Sequence, residues 1–123
     1  AQAQATADAF GIPWVGADHR ELLRQTTPEL VFIATPPALH ASMAIDALRA
    51  GAHVVCEKPM ALSVADCQSM LAVAQDCGRI ALVDHELRFL PQRRALRRML
   101  LEGAIGRPLR ASCTMAVTLS ARC

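Results

Sequence analysis

Six glycines are spread over this chain and none belongs to a Gly-x-Gly-x-x-Gly run, so the backbone-lined turn that cradles a phosphate after a first strand is absent. Cysteine pairs are absent too: Cys56, Cys67, Cys77, Cys113 and Cys123 are odd in number and no two stand as Cys-x-x-Cys. That favours reduced thiols in a cytoplasm over a disulfide framework or a zinc site, and no metal is expected. No apolar run approaches the ~20 residues of a spanning helix and no secretory pattern stands at Ala1, so a membrane is not an expected partner. Charge is scarce in excess of either sign. A formal +2, from 13 basic and 11 acidic residues, is too small to argue for nucleic acid. What the chain does have is apolar residues, 53% of 123 positions, enough for one sizeable core and about one domain.

Those apolar residues fall into alternating strand-like and helix-like segments. Leu30 to Ala34 is a continuous apolar run ended by Thr35-Pro36-Pro37, which reads as a strand buried on both faces, then a helix with proline in its first turn. Leu39, Met43, Ala47 and Ala50 recur at helical spacing up to Gly51, a C-terminal cap. Strand Ala52 to Cys56 follows. Ser63 is an N-cap, with Asp66 three residues on in a weakened capping-box role, ahead of a helix with Cys67, Met70, Leu71 and Ala74 on its apolar face that ends at Gly78. Ile80 to Val83 is a third buried strand. Pro91 opens a helix with Leu96, Met99 and Leu100 inward and Arg93, Arg94, Arg97 and Arg98 on its wet side. Repeated strand-helix units with short links predict an α/β fold with a parallel sheet covered on both faces.

Within that pattern Glu57-Lys58-Pro59 sits at the end of the strand Ala52 to Cys56. A residue before proline is pushed out of the α region, so Lys58 stays at the strand's carboxyl end. In open parallel sheets ligands bind in the crevice beyond those carboxyl ends. An isolated Glu-Lys-Pro would be read as a solvated surface loop; the flanking segments shift that balance.

Val31-Phe32-Ile33-Ala34-Thr35-Pro36-Pro37 with His40 beyond, Ala50-Gly51-Ala52-His53-Val54-Val55-Cys56-Glu57-Lys58-Pro59, Arg88-Phe89 with Pro91, and Glu102-Gly103-Ala104-Ile105-Gly106 stand in an order and spacing that resembles the NAD(P)-dependent oxidoreductases named after glucose-fructose oxidoreductase and inositol dehydrogenase, the Gfo/Idh/MocA family. The resemblance runs from about Phe10 to Gly106. It implies a partial Rossmann-like dinucleotide-binding domain over 1–106 and the first strand of a C-terminal α+β substrate domain over 107–123, with Leu109 to Leu119 as that strand. By the same likeness Ala1 lies inside a helix after a second strand, and the chain is expected to be a fragment. Strands Leu30 to Ala34, Ala52 to Cys56 and Ile80 to Val83 then correspond to strands 4, 5 and 6 of a sheet ordered 3-2-1-4-5-6. Trp14-Val15, the expected strand 3, is left without a neighbour.

The family implies NAD or NADP as cofactor, a sugar, polyol or related hydroxy compound as the small-molecule substrate, and a homo-oligomer in full-length form. Hydride transfer from an alcohol needs a proton acceptor and a donor that orients the oxygen. Lys58 is expected in that role, close to the nicotinamide ribose and the substrate in related enzymes. Glu57 and Pro59 are implied cofactor contacts, Glu57 alternatively being a carboxylate that balances its neighbouring cation. Thr35, Pro36 and Pro37 are expected to pass over the dinucleotide; two prolines remove amide donors, which suits a wall better than a phosphate cradle. His40 fits either a cofactor-side element or a packing residue. His85, where many family members have asparagine or tyrosine, is a candidate proton relay or a satisfied rim histidine. Arg88 is expected at the domain junction or on an anionic substrate group. The alternative to an enzyme is a non-catalytic nucleotide-binding sensor or partner subunit of the same fold.

Overall fold

The computed structural model describes residues 2–114. Its elements follow the expected alternation: helix α1 (Gln2–Phe10), helix α2 (His19–Thr26), strand β1 (Leu30–Ile33), helix α3 (His40–Arg49) entered through a 3₁₀ turn at Pro37–Leu39, strand β2 (His53–Glu57), helix α4 (Val64–Asp76), strand β3 (Ala81–Asp84), a second 3₁₀ turn at Glu86–Phe89, and helix α5 (Pro91–Leu101). The chain divides after His85 into two compact units.

In the first unit β1, β2 and β3 lie side by side in chain order, all parallel. The register pairs Val31 with Val54 and Ala81, and Phe32 with Val55 and Leu82. This is the neighbour order expected for strands 4, 5 and 6. Trp14-Val15 forms no strand; the indole N–H of Trp14 instead donates to Gln25 Oε1 at 2.7 Å.

One face of the sheet is packed. Ile33, Val54 and Cys56 meet Leu23 of α2, Ala44, Ala47 and Leu48 of α3, and Met70 and Ala74 of α4. Alanines on α3 bring its backbone close to the sheet, and Gly51 with φ 92° turns the chain straight into β2. The other face is bare, correcting the expectation of a sheet covered on both sides. Leu30 and Phe32 remain 58% and 56% exposed, and Ile80 and Leu82 are equally open. Helices α2, α3 and α4 share a single core on the packed face.

Several local expectations shift. On α4 Met70 and Ala74 are buried while Leu71 is exposed, and on α3 the buried row is Ala44, Ala47 and Leu48 rather than Met43 and Ala50. In the second unit no residue of α5 is buried: Leu96, Met99 and Leu100 are exposed beside the arginines. Residues 109–114 form no strand, having no ladder partner among the described residues, and the rest of the expected strand Leu109 to Leu119 lies outside them.

Candidate active site

Parallel pairing brings the three strand ends to one edge. Beyond β1 come Ala34, Thr35 and the two prolines; at the end of β2 come Glu57, Lys58 and Pro59; at the end of β3 come Asp84 and His85. Glu57 and Asp84 are direct register partners, so their side chains leave the same face about one strand spacing, ~4.8 Å, apart. Lys58 and His85 are the next residues along each chain, both exposed.

The turn after β2 is held by its own residues. The backbone N–H of Lys58 donates to Glu57 Oε2 at 3.0 Å, and the Lys58–Pro59 peptide is cis. Glu57 thereby fixes the turn that presents the lysine side chain. Pro36 has extended geometry and no side-chain cap closes the following 3₁₀ turn. Thr35 turns its hydroxyl inward to Met43 Sδ at 3.5 Å, so its outward contribution is backbone.

His40 lies underneath. It is 1% exposed, with Nδ1 2.8 Å from the Pro59 carbonyl oxygen and Nε2 2.8 Å from the Thr35 carbonyl oxygen. Its ring faces protein on both sides, and no nitrogen is left for a ligand.

His85 donates its backbone N–H to Val83 O at 2.9 Å, continuing the chain into a tight turn. Arg88 lies in the second unit, exposed, within the 3₁₀ turn Glu86–Phe89. Below the rim the Cys56 thiol is pushed up by burial and by the charge of Glu57; it is a packing residue, with Sγ 4.0 Å from the Met60 carbonyl oxygen.

The structure also contains a polar cluster that sequence reasoning missed. Asp46 on α3 accepts from Arg20 Nε at 2.8 Å and lies 2.9 Å from His19 Nε2. Burial pushes its carboxyl up, but hydrogen bonds from Arg20 and His19 outweigh that and hold it below its ordinary value. The cluster docks α2 on α3, away from the rim. Asp18 ahead of Glu21 and two leucines was the available sequence signal for α2. Among the described residues no group of three or more His, Cys, Asp or Glu is placed to hold a metal ion, and no helix is long and apolar enough to cross a membrane.

A three-stranded parallel sheet with helices and chemistry-bearing loops at its carboxyl edge defines part of a nucleotide-binding α/β domain of the Rossmann type. Comparison with known proteins specifies it further: residues 1–85 match the oxidoreductase family with an NAD-binding Rossmann fold, GFO_IDH_MocA, and the chain belongs to that family. It is 37% identical over 99 residues to a 1,5-anhydro-D-fructose reductase of Ensifer adhaerens, an alignment covering 80% of this chain and 30% of the reductase. A levoglucosan dehydrogenase of Pseudarthrobacter phenanthrenivorans is 35% identical over 107 residues, covering 87% of this chain and 27% of the relative. Among solved structures, the WlbA dehydrogenase from Bordetella pertussis in complex with NADH and UDP-GlcNAcA superposes with a TM-score of 0.81 at 30% identity, covering 85% of this chain and 30% of that one. The chain therefore spans under a third of the length of these relatives.

Proposed function

We propose that the whole protein is a nicotinamide-dependent dehydrogenase that moves a hydride between the cofactor and a hydroxyl or carbonyl carbon of a sugar, polyol or related small molecule. The observation carrying this reading is the shared rim: Thr35-Pro36-Pro37, Glu57-Lys58-Pro59 and Asp84-His85 stand in a row at the carboxyl ends of β1, β2 and β3. The relatives that act on 1,5-anhydro-D-fructose and levoglucosan support the substrate class, and NADH in the WlbA complex supports the cofactor. On this reading residues 1–106 are part of the dinucleotide-binding domain and 107–123 begin a substrate domain.

The residues present fit the nicotinamide end of the cofactor. An exposed lysine stands at a strand's carboxyl end between two turns, and Pro36 and Pro37 offer an apolar wall without N–H groups. When bound, the cofactor accepts or donates the hydride. Lys58 orients the substrate oxygen through its ammonium and passes a proton to or from it. Glu57 keeps the lysine's turn in place through the Lys58 amide. His85, next along the rim, relays the proton toward solvent, and Arg88 takes an anionic group of the substrate. Four cysteines with free thiols among the described residues support a reducing, cytoplasmic setting. A homo-oligomer is the expected assembly.

The test is steady-state kinetics of Lys58→Ala in the whole protein. Turnover should fall by about two to four orders of magnitude, as for loss of a proton-transfer group, while NADH affinity changes little. Turnover within a few-fold of the parent would remove Lys58 from the chemistry. NADH binding without turnover on any anhydrosugar, sugar or polyol would favour the non-catalytic sensor.

A further inference from the structure

We infer that His40 is a positioning residue that sets the distance between the two rim turns, and that its two ring nitrogens serve different halves of the reaction. The inference rests on the dehydrogenase reading above for what each turn does. His40 is the only buried polar residue in the core of the described chain, 1% exposed. It is the first residue of α3, its backbone N–H bonded to Pro37 O, so its ring stands on a helix rather than on a loop. Nδ1 reaches the carbonyl of Pro59, immediately after Lys58, and Nε2 reaches the carbonyl of Thr35, at the start of the Thr-Pro-Pro turn.

A carbonyl oxygen only accepts, so a ring nitrogen holds its carbonyl when it carries the proton: each tautomer of the neutral ring holds one turn and an imidazolium holds both. The two turns follow neighbouring strands, and each meets this ring at 2.8 Å. The carbonyl at Pro59 governs where the Lys58 side chain starts. The carbonyl at Thr35 governs the wall along which the cofactor lies. A displacement of about 1 Å at a reacting group costs on the order of a hundredfold in rate, so a buried ring spanning both turns has leverage on catalysis without touching substrate or cofactor.

The amide nitrogen of asparagine falls near the position of Nδ1 and that of glutamine near Nε2, which allows the two links to be cut separately. His40→Asn keeps the link to Pro59 and loses Thr35: the cofactor KM should rise about fivefold to tenfold, the loss of one hydrogen bond's worth of ordering, with kcat little changed. His40→Gln keeps Thr35 and releases the Lys58 turn: kcat should fall about tenfold to a hundredfold with cofactor KM little changed. Hydrogen exchange measured by mass spectrometry on the whole protein supplies a readout that needs no turnover. Exchange should accelerate in residues 34–39 for His40→Asn, in 57–63 for His40→Gln, and in both for His40→Leu. If both amide variants shift kcat and KM together, or accelerate exchange in the same segments, or leave exchange unchanged, the inference is overturned. Absence of turnover in the parent would instead defeat the dehydrogenase reading, leaving the exchange pattern to decide on His40.

Discussion

Two buried residues of the first unit have opposite consequences for solution chemistry. Cys56 sits on β2 with 1% exposure, and burial, reinforced by the negative charge of Glu57, pushes its thiol up. The reactive thiolate is therefore disfavoured in the folded chain. Alkylation at neutral pH, mapped by mass spectrometry, should modify exposed Cys113 readily and spare Cys56 until denaturant is added; equal labelling of the two would contradict the packing. Leu48, fully buried on α3 among sheet and helix residues, has no chemistry and carries stability instead. Leu48→Ala should cost about 2–5 kcal/mol in a denaturant titration.

At the scale of elements, helix ends and helix contacts are made by small polar groups. Ser63 Oγ accepts the Asp66 amide at 3.1 Å and its hydroxyl donates to Asp66 Oδ2 at 2.7 Å. The expected cap is thus present, but the acidic partner closes on the serine hydroxyl. Ser63→Ala should destabilise by about 1 kcal/mol. The α2 to α3 contact depends on Asp46 ionised beside Arg20 and His19. Because the folded carboxyl is held below its ordinary value, its contribution is complete above about pH 4 and is lost as pH falls further, through the lowered folded value. The stability gap between the parent and Asp46→Asn should therefore narrow in acid; a gap independent of pH between neutrality and strong acid would show that the charge of Asp46 does not support the contact.

At the scale of the whole chain, the bare sheet face and the open edge of β1 set its behaviour in isolation. Leu30, Phe32 and Leu82 on the strands and Ile80 just ahead of β3 are all more than half exposed, and an unpaired strand edge invites association. Analytical ultracentrifugation of the 123-residue chain should show self-association that weakens in Phe32→Ser; a monomer at all concentrations would mean that the face is not adhesive. The same chain should bind NAD(H) more weakly than micromolar, because it has no glycine-rich turn to present amides to the pyrophosphate. Calorimetry returning micromolar affinity would overturn that expectation.

How much was legible depended on the range of each interaction. The apolar runs at Leu30, Ala52 and Ile80, the glycine after α3, Ser63 ahead of α4 and the proline behind Lys58 act within a few residues, so sequence alone determined the strands, their parallel order and the family motifs of the rim. Helix α2 is faint in the sequence because only Asp18 and a short leucine pair announce it, and its stabilising partner Asp46 lies 26 residues from Arg20. The sequence leaves His40 open between ligand and packing residue because its two acceptors are main-chain carbonyls, which no side-chain pattern reveals. A continuous apolar run also says that a strand can be buried twice, not that a second layer is there to bury it. Only the tertiary structure, which brings distant turns onto one ring and leaves Phe32 facing outward, decided those points.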